Sequence, residues 1–91
     1  MTTEHMRWHY WALFLENSAV LPWIKRVQHL AQEAENAEEY RNALAVEERC
    51  RRNKQVMADK LWELDPSWCI GLPALVPFQP QHVALLGGET Q

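Results

Sequence analysis

A chain of 91 residues with a formal net charge of −3 holds one domain at most, and at this length folding buries only about 60–65% of the surface exposed in the unfolded state. A sequence pI near 5.7 speaks against broad phosphate neutralisation, which needs a clear basic excess. Two cysteines, Cys50 and Cys69, are too few for a disulfide framework, the opening lacks a leader pattern, and Pro66, Pro73, Pro77 and Pro80 interrupt the longest uncharged stretch, so the expectation is a soluble cytoplasmic protein with no membrane span.

Residues 1–17 form the first predicted helix. One stripe on it reads His5, Trp8, Ala12 and Leu15, and a second reads Met6, Tyr10 and Leu13. A helix apolar on nearly every side must be covered all round, by its own domain or by a partner. Asn17 and Ser18 are good N-cap residues, and Pro22 follows within the first turn beyond them. A second helix is therefore predicted over 18–35. Its predicted buried stripe is Val20, Trp23, Ile24, Val27, Leu30, Ala31 and Ala34, spaced at i, i+3, i+4 and i+7.

That stripe loses its phase near Asn36, and Asn36 with Glu39 has the form of a capping box. A tight turn at Glu35–Asn36 and an antiparallel hairpin follow, the alternative being one uninterrupted helix from Ser18 to Leu64. The third helix is predicted over 37–64 with a seam of Tyr40, Ala43, Val46, Cys50, Asn53, Met57, Leu61 and Leu64, and Asp65-Pro66 ends it. The seam is thin, with small Ala and Cys and a polar Asn53. Residues 66–86 are apolar but broken by proline, which predicts an extended strap packed over the helices, with 87–91 a frayed tail. The expected fold class is all-α: a short N-terminal helix, an antiparallel helical hairpin and a C-terminal strap.

Chemistry-bearing patterns are weak. His5 and His9 share a helix face at a metal-chelating spacing, but no carboxylate or third ligand accompanies them. Neither cysteine has a CxxC partner, and the three glycines build no phosphate loop. No catalytic residue, metal or cofactor is expected, and an enzyme is not the favoured reading. Pro77-Phe78-Gln79-Pro80 matches PxxP without a basic flank, and packing is the simpler role.

Five tryptophans in so short a chain suggest a binding surface, because Trp is enriched in interface hot spots as well as in cores. The candidate partner-binding residues are Trp8, Tyr10, Trp11, Phe14 and Trp23, with Lys25 and Arg26 at the edge. The third helix is electrically divided, acidic at Glu38, Glu39, Glu47 and Glu48 and basic at Arg49, Arg51, Arg52 and Lys54. Glu47–Arg51 and Glu48–Arg52 are possible i, i+4 pairs, and the same basic half is the alternative anion-binding site. The leading expectation is a protein–protein interaction module, an adaptor or an inhibitor of a larger target, a size class that includes phage-type anti-defence proteins. A nucleic-acid or nucleotide binder and a structural assembly subunit are the alternatives. A protein partner and homo-oligomerisation are both expected, since a two-helix hairpin buries little by itself.

Overall fold

The computed structural model describes residues 2–80, and the fold is all-α, with no strand among these residues. Helix α1 spans Thr3–Glu33, α2 spans Ala37–Leu64 and the short α3 spans Pro66–Ile70, followed by a single 3-10 turn at Val76–Phe78. The two long helices pack against each other as an antiparallel hairpin.

The helix break expected at Asn17–Ser18 does not occur, and the two helices predicted over 1–17 and 18–35 are one. The cap residues turn backward instead: Asn17 Nδ2 donates to the Leu13 carbonyl at 2.8 Å and Ser18 Oγ to the Phe14 carbonyl at 3.0 Å. Bonded to the preceding turn, these side chains are spent within a continuing helix and do not cap a new one. Pro22 sits inside α1 with its ring exposed. The true start lies at Thr2, whose hydroxyl accepts from the His5 amide at 3.1 Å.

The turn falls at the expected place, so the uninterrupted helix is excluded. The Asn36 amide donates to the Ala31 carbonyl at 2.9 Å and the Glu35 amide to the Gln32 carbonyl at 3.1 Å, the two bonds of a Schellman motif. Glu35 takes the left-handed position at φ 54°, where glycine is usual. Asn36 then caps α2 through its side-chain oxygen, which accepts from the Glu39 amide at 3.1 Å. The Glu39 carboxylate answers the Asn36 side-chain amide at 3.2 Å rather than the backbone N–H, which the Schellman bond already uses.

On α1 the buried seam differs in phase from the predicted one, whereas on α2 it largely follows it. On α1 it is Phe14, Leu21, Ile24, Gln28 and Ala31, while Val20, Trp23, Val27, Leu30 and Ala34 are exposed. On α2 the predicted Ala43 and Leu61 are buried and Tyr40, Cys50, Met57 and Leu64 half-buried, while Val46 and Asn53 are exposed and Glu47, Ala58 and Trp62 complete the buried side. Gln28 Nε2 donates to Glu47 Oε1 at 3.1 Å across the seam, so a polar pair occupies a layer that an apolar pattern cannot reveal.

The main core lies at the open end of the hairpin. Phe14, Ala58, Leu61, Trp62, Cys69 and Leu75 form one buried cluster, with Trp11, Trp68 and Phe78 among the residues packed on it. The segment after Leu64 packs over the helices as expected, but as helical turns rather than extended chain. Asp65 organises it, capping α3 at the Trp68 amide (3.3 Å) and pairing with Arg7 at 2.8 Å. Trp62 Nε1 donates to the Leu75 carbonyl at 2.9 Å, which seals the strap to α2. The predicted frayed tail and Val83, Leu85 and Leu86 lie outside the described residues.

Candidate interaction surface

The predicted aromatic cluster divides into two parts. Phe14 is core, only 2% exposed, stacked on Trp11 at 5.5 Å and edge-on to Phe78 at 5.4 Å. Trp11 is half-buried and meets Trp68 edge-on at 5.6 Å, and Tyr10 packs at the margin of the same cluster. Trp8 is 54% exposed yet touches Trp68 edge-on at 6.4 Å. Arg7 lies over the Trp68 ring at 5.0 Å, so the strap, through Trp68 and Phe78, covers Trp11 and Phe14 and touches the edge of Trp8.

Trp23 stands apart from these residues, 70% exposed on the hairpin's distal half. Val20, Val27 and Leu30 share its face at spacings of three and four residues, and all are exposed. An α-helix advances about 100° per residue, which places this stripe on the opposite side of α1 from Lys25. Lys25 and Arg51 both reach Glu47, at 2.8 and 3.0 Å, and so mark one side of the hairpin. Val46 lies on the other side of α2 from Arg51 and is exposed. One side of the distal hairpin is thus an electrostatic knot, and the other, among the described residues, an exposed apolar face.

The knot is specific. Glu47 is buried, and hydrogen bonds from Lys25, Gln28 and Arg51 hold its carboxyl well below the ordinary 4.5, at about 2. The Lys25 bond acts most strongly, and burial opposes it in part. Lys25 is therefore a structural partner within the hairpin, and Arg26 is exposed beside the apolar stripe.

The basic half of α2 does not converge on one anion site. Arg51 is engaged by Glu47, and the Lys54 ammonium lies over the rings of Phe14 at 5.0 Å and Phe78 at 5.6 Å. Arg49 and Arg52 are exposed, and the Glu48–Arg52 pair is absent from the ion pairs of the described residues. No group of three or more metal-ligating side chains occurs among the described residues, His5 and His9 included. Cys69 is fully buried, and loss of solvation pushes its thiol up to about 11, the opposite of an activated nucleophile. No described helix is long and apolar enough to cross a membrane.

Sequence reasoning found the residues of the exposed stripe but placed them in the core, because they are the most apolar face of α1. What it missed was Gln28–Glu47, a polar pair in the seam that α1 and α2 share. The chain matches no protein-family model, no curated protein and no solved structure.

Proposed function

We propose that this chain is a non-catalytic protein–protein interaction module, of the adaptor or inhibitor kind, whose binding face is the Val20–Trp23–Val27–Leu30 stripe of α1. The observation that supports this reading is Trp23, a large aromatic side chain 70% exposed at the centre of a row of exposed aliphatic residues. Aromatic anchors of this kind carry a large share of interface energy, about 2 kcal/mol or more for a hot-spot residue, and the surrounding aliphatics exclude water from them.

The architecture favours the same face. Up to Pro80 the strap packs on the open end around Phe14 and Trp62, so among the described residues the distal hairpin is two helices thick and its apolar side lacks the second layer that such a face ordinarily requires. The test is a photo-cross-linking residue placed at position 23 or 27, and as a control at position 52, in the cell that makes the protein. Cross-linked species at 23 and 27 and none at 52 are expected. Cross-linking at 52 alone would shift the reading to the basic half of α2.

A further inference from the structure

We propose, resting on the reading of the α1 stripe as an interaction face, that its occupant is a second copy of this chain, paired antiparallel along α1. Val20, Trp23, Val27, Leu30 and Ala34 follow one another at intervals of three, four, three and four residues. That is the seam spacing of a coiled coil, in which each residue fits between those of a facing helix. Helix α1 therefore carries two seams. One, through Leu21, Ile24, Gln28 and Ala31, is filled by α2; the other is exposed among the described residues and lies roughly 100° round the helix. Two seams at that angle suit a helix at the corner of a four-helix bundle, and two hairpins supply four helices.

Side-chain size and charge select the arrangement. In the antiparallel register centred between Gln28 and His29, Trp23 faces the partner's Ala34 and Val27 faces the partner's Leu30. The largest side chain of the stripe then meets the smallest, and the twofold axis repeats both layers. On the flank of the stripe away from α2 stand Arg26 and Glu33, both exposed; Glu33 also lies 3.2 Å from His29 Nε2 one turn back on its own helix, a contact that leaves its second carboxylate oxygen for a partner. The same register brings Arg26 against the partner's Glu33, twice per dimer. Sliding by one seam position brings Arg26 against the partner's Arg26, a like-charge contact that disfavours the shift. A parallel pairing stacks Trp23 on the partner's Trp23 and gives neither charge an opposite across the interface. Opposed macrodipoles add to the preference for the antiparallel pair. Val46 of α2 faces the same side and extends the apolar surface towards the partner's hairpin.

The experiment is sedimentation velocity on the full chain across a concentration series, comparing wild type with Val27→Asp, Arg26→Glu, Glu33→Arg and the double charge exchange. Wild type should be a dimer. Val27→Asp should sediment as a monomer with its helical circular dichroism intact. Each single charge reversal should weaken dimerisation several-fold, and the double exchange should restore it. Dimers that survive Val27→Asp, or a double exchange no better than its singles, overturn this pairing. A wild type monomeric at every concentration also overturns it. Cross-linking from position 23 to a different protein would then keep the interaction-module reading alive, and its absence would remove both.

Discussion

Phe14→Ala and Trp23→Ala, two aromatic truncations on the same helix, should have very unequal consequences for the folded monomer. Phe14 is 2% exposed and packs in the cluster of Ala58, Leu61, Trp62, Cys69 and Leu75, stacked on Trp11 and met edge-on by Phe78. Removing its ring forfeits the transfer of a fully buried aromatic side chain, leaves a cavity and removes one of the two rings under Lys54. Truncations of this kind cost about 3–5 kcal/mol, most of the stability of a domain near the lower end of the usual 5–15 kcal/mol or so. At roughly 4–8 °C per kcal/mol for a domain of this size, the melting temperature falls by more than about 10 °C. Trp23 makes no such contacts, and its loss should change the monomer by about 0.5 kcal/mol or less. The assay is thermal and urea unfolding followed by circular dichroism at a concentration too low for association. Repeating it at high concentration should reveal a deficit for Trp23→Ala alone, since assembly stabilises the folded chain by mass action. Equal losses for both variants in dilute solution would refute the division into core and surface.

Three further outcomes follow from the same structure. Pro22→Ala should raise the melting temperature, because it returns an N–H to the interior of α1, where proline costs about 3 kcal/mol; unchanged or lower stability in unfolding titrations would contradict a regular helix there. Glu47 has a folded-state value near 2 against an ordinary 4.5, so the stability it contributes is present above the ordinary value and is lost as pH falls towards 2. Glu47→Gln should therefore flatten the acid limb of stability against pH, leaving the smaller contribution of Asp65, whose carboxyl is lowered chiefly by Arg7; an unaltered acid limb would remove Glu47 as its source. A chain ending at Asp65 loses the fully buried Cys69 and Leu75, at roughly 1.5–3 kcal/mol for the leucine alone, and should melt without a cooperative transition. A melt indistinguishable from the full chain would show the strap to be dispensable.

Much of the fold could be read from local chemistry. The bounds of α2 follow from the Asn36 cap and the Asp65-Pro66 stop, both satisfied within a few bonds of the chain itself. The division of α1 did not hold because Asn and Ser side chains can cap a helix or bond back into it, and only the positions of the Leu13 and Phe14 carbonyls decide which. The phase of the hairpin seam was hidden for a different reason. Periodicity ranks faces by apolarity, whereas α2 pairs with a less apolar face that offers Gln28 to Glu47. The split of the aromatic cluster depended on Trp68 and Phe78 returning from the strap, a tertiary event with no local signature. Trp23 escaped that coverage because the strap returns to the open end of the hairpin, far along α1 from it.

The exposed stripe as an interface is tested most directly by fluorine NMR of protein labelled with fluorotryptophan, in which the five tryptophans report separately and Trp23→Phe identifies the Trp23 signal. On raising the concentration from dilute to near millimolar, the Trp23 resonance should shift and lose its sensitivity to a soluble quencher, while that of buried Trp62 stays fixed. A Trp23 resonance that remains solvent-exposed throughout, and is equally unmoved in extract from the cell that makes the protein, would contradict the account.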